Sequence, residues 1–218
     1  MKKKTLNDRL AVREKIDIDK SARSDYSASF RRQFKDYVEF SEYDERGRKH
    51  VRRVYQGVWH IPNLPAGRRK RERWLLALLF AGGLVLFLLA ALRQIPANRT
   101  WLLAVAHVIT VVLFLYTGSG LFNYLTGGAK LTTYDYETGP LRFRRGCLIT
   151  AGALALCALL YLACVVIYRD GVILSLLAAG LSLAGAFSLY VARMLDGSVP
   201  FIEERSREKA PDDAVRIE

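Results

Sequence analysis

Cysteine is scarce. The three among 218 residues, Cys147, Cys157 and Cys164, have no paired spacing, which excludes a disulfide scaffold. Histidine and methionine are as rare, three and two residues. The sequence has no P-loop, no G-x-S-x-G elbow, no H-E-x-x-H zinc helix and no C-x-x-C. The most telling shortage is of charge. A quarter (25%) of the chain is charged and the formal net charge is +12, yet four long stretches between residues 74 and 192 contain no Asp, Glu, Lys or Arg. A single soluble domain interleaves polar and apolar residues at helical or strand periods, so this segregation excludes one. The apolar content, 51%, excludes a wholly disordered chain.

The four runs are 74–92, 101–122, 146–168 and 171–192. At about 1.5 Å per residue each is roughly 28 to 35 Å long as a helix, the thickness of a hydrocarbon core. One charge at the centre of such a helix costs about 2.5 to 3.5 kcal/mol on insertion scales, which accounts for its exclusion from the runs. The expected fold is therefore an all-α integral membrane protein with four transmembrane helices and a polar N-terminal cytoplasmic segment, including a β-hairpin at about 37–56. Trp74, Trp101, Tyr168 and Tyr190 stand near run ends, where amphipathic rings meet headgroups.

Basic residues set the orientation. Residues 1–73 hold 21 Lys and Arg, and the connection 123–145 holds four. Both segments are expected on the cytoplasmic side, with the 193–218 tail, giving an N-in/C-in topology. No cleavable signal peptide is expected, because a polar stretch precedes the first run, which would act as a signal anchor. Arg68, Arg69, Lys70, Arg71, Arg73, Arg142, Arg144 and Arg145 are read as topology determinants that also meet anionic headgroups. That reading accounts for the excess charge without nucleic acid, for which no binding signature is present.

Outside the runs, residues 1 to about 35 read as disordered or weakly helical. Tyr37 to Tyr43 and Val51 to Tyr55 alternate as strands do around turn-forming residues from Asp44 to Lys49. An isolated hairpin needs a surface to pack on, and a disordered juxtamembrane stretch is the alternative. Thr132-Thr133-Tyr134-Asp135 has the form of a helix N-cap, while Gly139-Pro140 should interrupt any continuous helix. Asn98 or Thr100 is expected to cap the second span, Thr117 to Gly120 with Asn123 and Gly127-Gly128 beyond to loosen or, as an ordinary helix end, to finish it, Gly171 to allow a tight reversal, and the tail after Pro200 to be solvated and mobile.

His107 is the imidazole inside a span, about 10 Å from the end of its run by rise. With Thr110 and Tyr161 it forms the candidate polar intramembrane site, either an interhelical hydrogen-bond centre or a proton or ligand site. Thr150, Ala153, Cys157, Tyr161 and Cys164 fall on one stripe, and Ser175, Ala178, Ser182, Gly185 and Ala186 on another. Cys157, Cys164, Ser175, Ser182 and Gly185 are accordingly assigned to close packing of spans three and four. Catalytic residues, metal ligands and cofactors are not expected. The expected role is a non-enzymatic accessory, scaffold or regulatory subunit acting through the N-terminal segment, with a protein partner or a homo-oligomer and an anionic bilayer around it. The alternative is a small transporter or channel subunit with a polar path around His107. A bacterial plasma membrane fits this topology.

Overall fold

The computed structural model describes residues 27–43, 49–168, 171–206 and 215–216. The expectations for residues 1–26, the turn at 44–48, the reversal at 169–170 and the tail at 207–214 lie outside them. The chain forms two compact units, Met1–Val58 with Arg205–Glu218, and Trp59–Glu204.

In the first unit a short helix, α1 (Ala28–Gln33), precedes strands β1 (Tyr37–Tyr43) and β2 (Lys49–Tyr55). The strands pair antiparallel from Tyr37 opposite Tyr55 to Tyr43 opposite Lys49, which is the expected hairpin. A two-residue strand, β5 (Val215–Arg216), pairs with the other side of β1. The hairpin finds its packing surface within the chain. Phe30 and Phe34 of the α1 region lie in an aromatic row with Tyr37 and Tyr55. The Arg53 guanidinium covers Phe30 and Phe34 at 5.1 and 4.9 Å and bonds Glu39 at 2.6 Å.

The second unit carries four helices long and apolar enough to cross a membrane: α2 (Ala66–Ala91), α3 (Trp101–Thr126), α5 (Arg142–Tyr168) and α6 (Val172–Gly197). Their inward faces follow one repeat. Buried or half-buried positions run Leu76, Phe80, Gly83, Phe87, Ala90 in α2 and Leu103, His107, Thr110, Phe114, Thr117, Leu121, Tyr124 in α3. They run Phe143, Cys147, Thr150, Leu154, Cys157, Tyr161 in α5 and Ser175, Ala178, Ser182, Gly185, Leu189, Ala192, Asp196 in α6. Alternating steps of three and four give a 3.5-residue period, which keeps a seam facing its neighbours along a bundle. Helix α2 packs on α6, α6 on α5 and α5 on α3, and the ring closes between α2 and α3 mainly through Phe80, Phe87 and Phe114. The outward faces expose Leu78, Val85, Val108, Val112, Leu159, Val166, Ile173 and Phe187, compatible with a multi-pass membrane protein.

Each span runs further than its uncharged core, and always at the basic end. Helix α2 begins at Ala66 rather than 74, α3 ends at Thr126 rather than 122, α5 begins at Arg142 rather than 146, and α6 ends at Gly197 rather than 192. Charge no longer bounds a helix once it has partners inside the protein. Ahead of α5, Thr132 caps the short helix α4 (Thr133–Tyr136), accepting from the Asp135 N–H at 3.1 Å and donating to its carboxylate at 2.8 Å. Gly139-Pro140 does not break the chain's helical course. A wide π-turn over Glu137–Leu141 absorbs the missing proline N–H and leads directly into α5.

Gly118 to Gly120 likewise do not loosen α3, because Gly120 serves close packing: a Cβ there would meet the Phe143 nitrogen at 2.8 Å. Gly171 has φ +66°, a conformation that favours glycine, as the reversal into α6 requires. The segment after Pro200 is not a solvated tail at its start. Strand β4 (Phe201–Arg205) pairs with β3 (Val58–Pro62), and His60 of β3 stacks on Tyr136, which meets Phe201 edge-on.

Candidate functional site

Two polar centres lie inside the bundle, one near each end. The first gathers the expected residues His107 and Tyr161, from α3 and α5. The Tyr161 side chain is fully buried, and its hydroxyl lies 3.1 Å from His107 Nε2, 2.8 Å from Asn98 Oδ1 and 3.1 Å from the Ala90 carbonyl. Asn98 donates its amide to the carbonyls of Ala90, Ala91 and Arg93 at 3.2, 3.0 and 2.7 Å. It therefore caps the end of α2 instead of the start of α3, satisfying carbonyls that a helix terminus leaves open. Thr100 holds the N-cap position of α3, but its hydroxyl donates to Ala97 O at 2.7 Å. Phe87 meets the His107 ring edge-on at 5.7 Å.

Below this centre the α3–α5 seam stays polar. The Thr110 hydroxyl donates to Ala106 O at 2.7 Å, so the Cys157 thiol, 3.6 Å away, is the donor to Thr110. Thr117 donates to Leu113 O at 2.8 Å, so Thr150 donates to Thr117 at 2.9 Å. Each of the two α3 hydroxyls uses its one proton on its own helix and accepts one from α5. The stripe of α5 thus serves α3. In α6, Gly185 instead approaches Gly83 of α2, where a Cβ would stand 3.2 Å from the Gly83 carbonyl. Ser182 donates to Ala178 O within its own helix, Ser175 is buried, and Cys164 is half-buried. Spans three and four do pack on each other, through Ala158 and Tyr161 against Ala178 and Ala179, while their stripes also serve two further interfaces, α5 on α3 and α6 on α2.

The second centre is ionic and lay outside the expected site. Asp196 is fully buried near the end of α6, and the Arg144 guanidinium binds its Oδ2 and, at 2.6 Å, its backbone carbonyl. Tyr124 of α3 stands close enough to act on the carboxylate, and among the described residues Asp196 Oδ1 has no partner at ordinary hydrogen-bond distance. The Arg73 guanidinium covers the Tyr124 ring at 5.2 Å and donates to the carbonyls of Leu125, Gly127 and Gly128 at 3.4, 2.9 and 3.3 Å. It caps the end of α3, where a cation also complements the helix dipole. Arg69 ties Ala129, Pro62 and Leu64 carbonyls together in the same way.

The residues assigned to headgroups therefore divide. Arg68, Lys70, Arg71 and Arg145 are exposed, Arg142 covers the Tyr116 ring at 5.6 Å, and Arg69, Arg73 and Arg144 are committed to protein groups. Two helices also approach most closely here, since a Cβ at Gly146 would meet Thr117 Oγ1 at 2.5 Å.

The sequence carried one signal for Asp196. The steps from Ser182 through Gly185, Leu189 and Ala192 continue without a break to Asp196, so the buried face of α6 outlasts its uncharged stretch. No comparable pattern marks Arg144 as its partner. Among the described residues no group of three or more His, Cys, Asp or Glu could hold a metal ion. No protein-family model, curated protein or solved structure matches this chain.

Proposed function

We propose that this chain is a membrane-held accessory or scaffold subunit, with its basic end cytoplasmic, that meets a protein partner through the polar unit built from residues 27–58 and 205–216. The observation behind this reading is the closure of the polar network around His107 and along the seam of α3 and α5. His107, Tyr161, Asn98, Thr110, Cys157, Thr117 and Thr150 are bonded to one another or to backbone, so the intramembrane polar groups act as fasteners. The groups available to a protein partner then lie outside the bundle, in the hairpin unit and in the exposed Arg68, Lys70, Arg71 and Arg145. A transport path around His107 would have to open bonds that now hold α3 against α5.

The test is purification in nanodiscs with cross-linking and mass spectrometry, comparing the full chain with one lacking residues 1–57. That boundary keeps β3, which pairs with β4 and bridges Leu131 through His60. A stoichiometric partner held by the full chain and lost on truncation supports the proposal. Equal recovery of the same complexes from both chains would reject it.

A further inference from the structure

At the basic end, Asp196 Oδ1 and Glu72 Oε2 are both buried, and among the described residues neither has a partner at ordinary hydrogen-bond distance. Their residues line one small cavity between α2 and the end of α6, about 40 Å³ in volume, together with Leu75, Leu76, Leu195, Ser198 and Val199. A water needs roughly 10 to 15 Å³ by this measure, so the space admits about three or four occupants of that size.

The lining decides what kind. Its polar donors are oxygens: two carboxylates, and a Ser198 hydroxyl whose proton goes to Leu195 O at 2.6 Å, leaving its lone pairs open. Oxygen-only donors select hard cations over thiophilic metals. The carbonyl end of α6 adds negative potential.

Charge balance sets the valence. Arg144 neutralises Asp196, Arg69 and Arg73 face carbonyls of the connecting loops, and among the described residues Arg68, Arg71 and Arg193 form no ion pair with Glu72. One carboxylate charge, that of Glu72, remains without a counter-charge in contact. Glu72 is half-buried with its Oε2 shut off from solvent, and a monovalent ion beside it offsets that desolvation where a divalent one would overshoot.

We propose that the cleft between Glu72 and Asp196 is a binding site for a monovalent hard cation of about sodium's size, which joins the first and last spans at the basic end. Water completes the ion's shell inside the cavity.

The test uses the full chain in detergent, with unfolding midpoints read while NaCl replaces choline chloride at constant ionic strength. The expected result is a saturable rise of ~3 °C or more with sodium, smaller with potassium. Glu72→Gln keeps the side-chain shape and should abolish the sodium-dependent part. Glu72→Lys places a tethered ammonium in the cleft, and should leave the midpoint in choline at or above that of the parent and indifferent to sodium. The second variant carries the test if the first fails to fold. No difference between sodium and choline, a midpoint that follows pH alone, or a sodium response that survives in Glu72→Lys would each overturn the proposal.

Discussion

The two ends of the bundle solve one problem with different chemistry. Near Asn98 the helices are joined by neutral groups: a phenol, an imidazole, an amide and backbone carbonyls, all mutually bonded. At the basic end they are joined by charge, Arg144 to a fully buried Asp196, with Arg69 and Arg73 capping carbonyls. Neutral groups can be buried anywhere along a span at modest cost. Buried charges need their partners in the same layer of the bundle, and here α5 supplies Arg144 to Asp196 of α6 with Tyr124 of α3 beside them. The neutral end can therefore lose a group and relax, whereas the charged end fails as a unit.

The largest expected effect breaks the charged end. Arg144→Met strands Asp196 without its counter-ion and should cost about 3 to 5 kcal/mol, read by steric-trap unfolding in bicelles. A loss under about 1 kcal/mol would mean that the carboxylate reaches water. Next comes Gly146→Leu, which forces side-chain atoms into Thr117 and should cost about 1 to 3 kcal/mol by overpacking. Ala at the same position should cost less, and equal costs would contradict the close approach of α3 and α5.

The neutral end should respond more weakly. Tyr161→Phe keeps the ring and removes the hydroxyl, for an expected cost of about 1 kcal/mol, because Asn98 still caps α2. His107→Ala should lower stability to a similar degree without removing flux of any solute, measured in proteoliposomes beside the parent. Smallest of all, Arg68→Ala should leave stability within about 0.5 kcal/mol while weakening co-sedimentation with anionic vesicles.

The same contrast explains what could be read in advance. Uncharged length alone marks four spans, since nothing but a bilayer or a helix interior requires it. The hairpin was legible from alternation and turn residues, and His107 and Tyr161 from their rarity within apolar runs. The charged centre was not, because a span bounded at its first charge stops before Arg73, Arg144 and Asp196 by construction. Whether a charge ends a helix or fastens it depends on a partner on another helix, and partners separated by 52 residues, as Arg144 and Asp196 are, leave no local trace. Of the two candidates to cap the second span, Thr100 holds that position and Asn98 serves the preceding helix. It stands next to α3 in sequence, but the 3-10 turn at Pro96–Arg99 folds its amide back onto the carbonyls of α2. The short helix α1 was legible only as weak helicity, because Phe30 and the adjoining Phe34 gain a reason to order once Tyr37, Tyr55 and Arg53 are assembled beside them.

The most direct test of the charged fastening is a double-mutant cycle. Unfolding free energies would be measured for the parent, Arg144→Met, Asp196→Leu and the double variant under one set of bilayer conditions. Fastening within the bundle predicts a coupling of about 2 kcal/mol or more, with the double variant more stable than Arg144→Met. Additivity within about 0.5 kcal/mol would show that the two residues act separately, and would contradict an ionic lock at the basic end.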